Sequence, residues 1–130
     1  MKRHILVVED NAANLELVTD WLESENFEVS SATNLEQGYA ALKGELPHAV
    51  LLDVQLGSED GMSLAAWIRK EPRLRDLPVI AVTAHAMITD RERVMQAGCN
   101  ACVSKPIDFG LLKTQLDRWL GVAANLPPRT

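Results

Sequence analysis

Five short apolar segments of strand length alternate along the chain with five longer segments of helical periodicity. The predicted strands cover residues 4–8, 27–31, 48–52, 78–82 and 100–103. The predicted helices cover residues 12–24, 34–43, 61–70, 88–97 and 108–120. Three of the strands are almost entirely apolar, which is typical of strands covered on both faces of a parallel sheet. Because parallel neighbours need crossover connections, this alternation predicts an α/β fold with a doubly wound parallel sheet and helices on both faces.

Capping residues mark the limits of several of these helices. Asn11 and Asp108 are predicted N-caps, because a short polar side chain there can accept a hydrogen bond from the first helical turn. Gly98 and Gly121 are predicted helix stops.

The charge balance and the first residues narrow the classes of function. The 130 residues include 18 acidic and 13 basic side chains, for a formal net charge of −5. Nucleic-acid binding depends mainly on neutralising phosphates, so an acidic chain without a basic run does not fit direct nucleic-acid contact. The apolar run at residues 5–8 is too short for a signal peptide core or a membrane span. We therefore expect a cytoplasmic domain over residues 1–122, followed by a flexible tail or linker start over residues 123–130.

The only cysteines, Cys99 and Cys102, have a C-x-x-C spacing that also occurs in zinc sites and redox motifs. One such pair supplies half of a structural zinc site, and Cys102 falls inside a predicted strand rather than at a strand-to-helix junction. We interpret both as small, partly buried side chains in a reducing compartment.

Polar side chains follow the predicted strands at their carboxyl ends. Glu9 and Asp10 follow the first strand, Asp53 the third, Thr83 the fourth and Lys105 the fifth. In doubly wound folds this edge of the sheet binds ligands. At about 4 Å and an effective dielectric near 20, each carboxylate pair would repel by roughly 4 kcal/mol, so the acids need a cation or raised pKa values. A site made only of oxygen ligands suits Mg²⁺.

Together these residue types predict the transfer of a phosphoryl group to a carboxylate. Asp53 stands at the end of an apolar strand and can act as the nucleophile, which gives an aspartyl phosphate. Lys105 can neutralise a phosphoryl oxygen as a point charge, and the hydroxyl of Thr83 can donate a hydrogen bond to another.

Six short motifs stand in a fixed order at or near the ends of these elements. They are Val7-Val8-Glu9-Asp10-Asn11, Leu52-Asp53, Asp60-Gly61, Val82-Thr83-Ala84, Ala97-Gly98 and Ser104-Lys105-Pro106. Through them nearly the whole chain resembles the response-regulator receiver family of two-component signalling. The resemblance implies a flavodoxin-like sheet with strand order 2-1-3-4-5. It also implies a domain that accepts a phosphoryl group on Asp53 from a sensor histidine kinase or a histidine phosphotransfer protein.

The resemblance implies a metal site and a set of phosphoryl contacts. Asp10, Asp53 and the backbone carbonyl of Gln55 would ligate Mg²⁺ or Mn²⁺, and Glu9 would act through a water molecule. The residues expected to contact the phosphoryl group are Thr83, Ala84 and Lys105. The peptide bond between Lys105 and Pro106 would be cis, which only about 5–6% of X–Pro bonds are.

The resemblance further implies how such a domain signals. The stretch Thr83-Ala84-His85-Ala86-Met87, with Asp90-Arg91-Glu92 after it, looks like receivers of phosphorelays, including hybrid kinases and stand-alone regulators. Such a domain catalyses its own metal-dependent phosphorylation and dephosphorylation but is not a metabolic enzyme. Its output would be contact with a downstream protein through the face of the fourth helix, fifth strand and fifth helix. We expect a monomer or weak dimer without membrane contact.

Three positions bear on how the predicted switch works. Gly57 stands where the family often has Pro, and Gly is expected to loosen the loop after the third strand. Cys102 stands where the family usually has Tyr or Phe, a ring that repacks when the switch operates. His85 either reaches the site and affects hydrolysis or is a solvated loop residue.

Other functions fit the chain less well. The main alternative is a degenerate receiver that docks a partner without being phosphorylated, which Gly57 and Cys102 would favour. A phosphatase of the haloacid dehalogenase type needs a second Asp two residues after the nucleophile, where this chain has Gln55. A flavin-binding module needs a phosphate-cradling loop after the first strand, where Glu9 and Asp10 would repel the phosphate.

Overall fold

A computed structural model describes residues 2–84 and 88–121, without the side chains of residues 88 and 89. The strands are β1 (His4–Val8), β2 (Glu28–Ala32), β3 (Ala49–Asp53), β4 (Gln55–Leu56), β5 (Glu59–Asp60), β6 (Val79–Thr83) and β7 (Ala101–Ser104). The helices are α1 (Ala12–Ser24), α2 (Leu35–Lys43), α3 (Met62–Lys70), α4 (Ile88–Gln96) and α5 (Phe109–Leu120). Within the described residues, no helix combines the length and apolar character needed to cross a bilayer.

Five strands form one parallel sheet in the order β2-β1-β3-β6-β7. When only these five are counted, this is the order 2-1-3-4-5, so the predicted fold class is confirmed. The remaining two strands, β4 and β5, form a separate antiparallel hairpin directly after β3.

The sheet is covered by helices on both faces, as the apolar strands predict. All five residues of β1, β3 and β6 are buried. Side chains alternate between the two faces along each strand. Leu6 and Val8 of β1 face a core layer that includes Leu64 of α3, whereas Ile5 and Val7 face a layer that includes Leu22 of α1. The second layer also contains Leu112 and Leu116 of α5.

The sequence predicts each strand after β1 one residue too early. The ladder continues past the last apolar residue, because Asp53 still pairs with Val82 and Thr83 with Ser104. Three helices are also predicted to begin one residue too early, at the residue that caps or precedes the helix. An apolar pattern therefore locates the centre of a strand or helix better than its first and last residues.

Helix caps follow the prediction. Asn11 accepts a hydrogen bond from the backbone nitrogen of Asn14 at 2.9 Å, and Asp108 accepts one from that of Leu111 at 3.1 Å. Gly98 and Gly121 both have positive φ angles, at 107° and 95°. The predicted tail at residues 123–130 lies outside the described residues.

Both cysteines are free thiols: Cys99 lies between α4 and β7, and Cys102 lies in β7. Burial raises the pKa of Cys99 to about 12, and burial also raises the pKa of the half-buried Cys102. Such thiols are poor metal ligands and weak nucleophiles at neutral pH, because both roles need the thiolate. This agrees with the interpretation of the pair as packing residues.

Candidate functional site

The carboxyl ends of the parallel strands surround one open cleft of about 550 Å³. Six of the residues predicted for the site line it, namely Asp10, Asp53, Gln55, Thr83, Ala84 and Lys105. Glu9 lies beside them and is joined to the others through Lys105. Parallel strands that end at the same edge bring these residues together although up to about a hundred positions separate them in the chain.

Three carboxylates form an acidic cluster at this edge. Each of Glu9, Asp10 and Asp53 offers an oxygen that lies within 4.8 Å of the other two. Glu9 and Asp53 are buried, with 4% and 6% of their surface exposed, whereas Asp10 is open to solvent. Mg²⁺ prefers a few carboxylate ligands and keeps several of its waters, so a donor set with one solvent-facing acid fits this ion.

Lys105 contacts both buried acids. Its Nζ lies 2.8 Å from Oδ2 of Asp53 and 2.9 Å from Oε1 of Glu9. Burial lowers the pKa of Lys105, but hydrogen bonds to Asp53 and Glu9 outweigh this effect and the pKa is raised. Lys105 therefore stays charged at neutral pH and holds the two buried carboxylates together.

The pKa of Glu9 is raised, which disfavours its charged carboxylate form. Burial raises it most, and the neighbouring Asp53 raises it further. Contacts with Lys105 and the backbone amide of Asn11 oppose this shift but do not cancel it. The single positive charge of Lys105 is therefore not enough to neutralise the two adjacent buried acids.

The backbone around Asp53 orients its carboxylate. The backbone nitrogen of Gln55 donates to Oδ1 of Asp53 at 3.1 Å, so the two carboxylate oxygens have different partners. The backbone nitrogen of Lys105 donates to the carbonyl of Thr83 at 2.7 Å, which ties β6 to the segment after β7. The peptide bond between Lys105 and Pro106 is cis.

Gly61 allows the start of α3 to lie against the end of β3. A Cβ atom at this position would stand 2.0 Å from the carbonyl oxygen of Asp53. The backbone nitrogen of Gly61 donates to the carbonyl of Val54 at 2.7 Å. The motif Asp60-Gly61 can be read from the sequence. The steric requirement for glycine arises because two elements approach each other closely, so it can be seen only in the structure.

The positions that depart from the family pattern have distinct surroundings. Gly57 has a φ of +62° in the turn between β4 and β5. Proline, whose φ is held near −65°, cannot adopt this conformation. Gly57 stands in the turn of the paired hairpin of β4 and β5. Cys102 packs against the core layer beneath α4. His85 lies outside the described residues.

An ion pair at the mouth of the cleft is absent from the sequence-based predictions. Arg93 of α4 contacts Oδ2 of Asp60, at the end of β5, and both residues line the cleft. No local spacing indicates this pair, because the two residues are 33 positions apart and only the tertiary fold brings them together.

The chain is similar in sequence to known response regulators. A family model described as the response regulator receiver domain matches residues 5–117. The polar-differentiation response regulator DivK of Brucella anthropi is 35% identical over 123 residues, which are 95% of this chain and all of that protein.

Solved structures agree with the family match. A putative response regulator from Chloroflexus aurantiacus superposes with a TM-score of 0.88 at 27% identity, covering 92% of this chain and 98% of that one. The receiver domain of a sensor histidine kinase from Pseudomonas aeruginosa has a TM-score of 0.85 at 33% identity, with the same coverage. Its crystal structure contains a magnesium ion coordinated in the active-site cleft.

Proposed function

Since the chain belongs to the family of response regulator receiver domains, we propose that its Asp53 accepts a phosphoryl group from a phosphohistidine on a partner protein. Domains of this family act in two-component signalling and are not metabolic enzymes. The observation that carries the proposal is the placement of Asp53 at the end of the central strand, in contact with Lys105 and within the acidic cluster.

The chemistry follows from the partners of the Asp53 carboxylate. An oxygen of Asp53 would form the new bond to phosphorus, and the bond from phosphorus to the histidine nitrogen would break, with the imidazole taking the electron pair. Lys105 already contacts Oδ2 and would neutralise charge on the transferred group. The hydroxyl of Thr83 and the backbone at Ala84, which line the same cleft, are suited to donate to phosphoryl oxygens.

The acidic cluster suits a divalent ion. We assign Asp10, Asp53 and the backbone carbonyl of Gln55 as ligands of Mg²⁺, with Glu9 acting through a water molecule, and Mn²⁺ as a possible substitute. When bound, the ion would supply positive charge to the phosphoryl oxygens. The related Pseudomonas aeruginosa receiver domain, which holds magnesium in its cleft, supports the assignment.

The partner would be a sensor histidine kinase or a histidine phosphotransfer protein. An apolar groove of about 390 Å³ beside the cleft is lined by Leu17, Val18, Pro106 and Ile107. Lys105 lines both the groove and the cleft, and Leu17 is 57% exposed. We infer that an apolar face of the phosphohistidine protein covers this groove while its histidine approaches Asp53.

Output would pass to a downstream protein through the face of α4, β7 and α5. The two helices of this face carry the exposed apolar residues Met95 and Leu111. Arg91 of α4 contacts the hydroxyl of Ser104 at 3.4 Å across it. We expect the domain to work in the cytoplasm as a monomer or weak dimer, without direct contact with nucleic acid. The complete acidic cluster and Lys105 favour this function over docking without phosphorylation.

A labelling experiment tests the proposed acceptor. Incubation with Mg²⁺ and acetyl phosphate should add one phosphoryl group to the wild-type chain, which electrophoresis in a phosphate-binding gel detects. Asp53→Ala should abolish the shifted band, whereas Asp20→Ala, which removes an exposed acid on α1, should not. Full labelling of the Asp53→Ala variant would contradict the assignment.

A second experiment tests the partner surface. Leu17→Gln should slow phosphotransfer from a phosphohistidine protein, because a neutral polar amide replaces the apolar contact in the groove. It should leave labelling by acetyl phosphate unchanged, because the cleft itself is intact. Equal slowing with both donors would indicate damage to the cleft instead of a lost docking contact.

A further inference from the structure

An ion pair joins α4 to the β4–β5 hairpin across the mouth of the cleft. The guanidinium of Arg93 contacts Oδ2 of Asp60 through one terminal nitrogen. The other carboxylate oxygen, Oδ1, accepts a hydrogen bond from the backbone nitrogen of Met62 at 2.9 Å. The Arg93 and Asp60 side chains are 53% and 47% exposed, so both are accessible to molecules in solution.

The described lining of the cleft is acidic. It contains five carboxylates, Asp10, Asp53, Glu59, Asp60 and Asp90, and two cationic groups, Lys105 and Arg93. Lys105 is already engaged by Asp53 and Glu9 deep in the site. Among the described lining residues, Arg93 is therefore the remaining positive charge that an anion meets as it enters.

Phosphodonors of low molecular mass carry the same sign of charge as this lining. An acyl phosphate is a dianion near neutral pH and is repelled by uncompensated carboxylates. A guanidinium presents several N–H donors in one plane and binds phosphate oxygens in pairs. Asp60 and an incoming phosphate are thus alternative partners for the same group on Arg93.

Building on the proposed function, we propose that Arg93 recruits small anionic phosphodonors of the acyl phosphate class, and that Asp60 competes with the donor for the guanidinium. The transfer itself takes place at Asp53. Its oxygen forms the bond to phosphorus, the bond from phosphorus to the acyl oxygen breaks, and the carboxylate leaves with that electron pair. Arg93 determines which donors reach the cleft and how fast, and makes no bond in the reaction.

Kinetics with acetyl phosphate test this role. The second-order rate constant of phosphorylation is measured at saturating Mg²⁺ and low ionic strength. Arg93→Gln should lower it about two- to fivefold, the size expected for one exposed charge interaction. Asp60→Asn should raise it, since the amide keeps an oxygen for Met62 but releases Arg93. The gain from Asp60→Asn should shrink in the double variant, where the guanidinium is missing.

Two controls separate charge recruitment from other effects. Lys43→Gln removes a positive charge from the last turn of α2, at the opposite end of the sheet from the cleft, and should leave the rate constant unchanged. Phosphoramidate carries a smaller net negative charge than acetyl phosphate, so Arg93→Gln should slow its reaction less. High salt should reduce the difference between wild type and Arg93→Gln.

Two results would overturn the inference. One is an unchanged rate constant for Arg93→Gln with acetyl phosphate at low salt. The other is an Asp60→Asn variant as slow as Arg93→Gln, because the ion pair would then support the cleft instead of competing with the donor. Either result leaves the proposed acceptor standing, whereas a wild-type chain that takes no label at all would refute the proposed function itself.

Discussion

Replacement of Lys105 by methionine tests the electrostatic balance of the site. Lys105 is the cation that contacts both Glu9 and Asp53, at 2.9 and 2.8 Å, and these two acids have only 6% and 7% of their side chains exposed. Methionine keeps most of the side-chain volume and removes the charge. Two buried carboxylates then face each other without compensation, which is unfavourable for the folded state.

Protonation of Glu9 limits the size of this effect. Protonating an acid with an ordinary pKa of 4.5 at pH 7 costs about 3.4 kcal/mol, at about 1.36 kcal/mol for each pH unit, and at pH 5 it costs about 0.7 kcal/mol. A protonated Glu9 no longer repels Asp53 and can donate a hydrogen bond to it. We therefore expect a loss of about 2–3 kcal/mol in unfolding free energy at pH 7 and less than about 1 kcal/mol at pH 5.

The sign follows from proton uptake. Without Lys105 the pKa of Glu9 rises further in the folded state, so the folded variant binds a proton that the unfolded chain at the same pH does not. Stability relative to wild type is therefore regained as the pH falls from 7 toward 5. The loss at pH 7 corresponds to a shift of roughly 1–2 M in the urea midpoint.

Urea unfolding in the presence of EDTA, at pH 7 and pH 5, measures the effect. Lys113→Met is the matched control, since Lys113 pairs with Glu25 at 3.1 Å on the surface and 60% of its side chain is exposed. That variant should lose less than about 1 kcal/mol at either pH. A Lys105→Met variant as stable as wild type at pH 7, or equally destabilised at both pH values, would refute the reasoning.

Three further predictions concern the same fold. Gly61→Ala should destabilise the domain by about 1–3 kcal/mol and slow phosphorylation, because its Cβ would stand 2.0 Å from the carbonyl oxygen of Asp53. In the control Gly44→Ala the new Cβ meets nothing closer than 3.6 Å, so a thermal scan should show that this variant is tolerated. Mg²⁺ should raise the melting temperature of wild type by binding the folded state, and Asp10→Asn should remove most of that increase; an equal increase in both would contradict the metal site. Partial desolvation lowers the pKa of the largely exposed His48 from its usual 6.5, so the unfolded chain takes the proton first and stability falls slightly as the pH drops through 6.5. A proton NMR titration should give His48 a midpoint below that value, and a higher midpoint would refute this prediction.

The sheet could be predicted from sequence because its strands carry a strong signal. Strands buried on both faces are apolar throughout, and the residues 5–8 and 49–52 are apolar without interruption. The carboxyl ends of parallel strands share one edge, so the polar residues that follow them are expected near one another. The apolar pattern and the parallel topology together are therefore sufficient to predict that Asp53 and Lys105 lie at the same edge of the sheet.

Features set by close approach or by distant pairing could not be predicted in this way. The β4–β5 hairpin has two residues in each strand, too few for any periodic pattern, and it depends on the positive φ of Gly57. The requirement for Gly61 arises from its distance to the backbone of Asp53. The pairing of Arg93 with Asp60 joins residues 33 positions apart in the chain, so it depends on the tertiary fold.

Site mapping of the phosphorylated residue tests the central claim most directly. The chain is incubated with Mg²⁺ and acetyl phosphate, reduced with borohydride, which converts an aspartyl phosphate to homoserine, and digested for peptide mass spectrometry. We predict homoserine at position 53 and unmodified acids at Glu9, Asp10 and Asp60. Homoserine at another aspartate, or a phosphorylated chain in which Asp53 stays unreduced, would contradict the account.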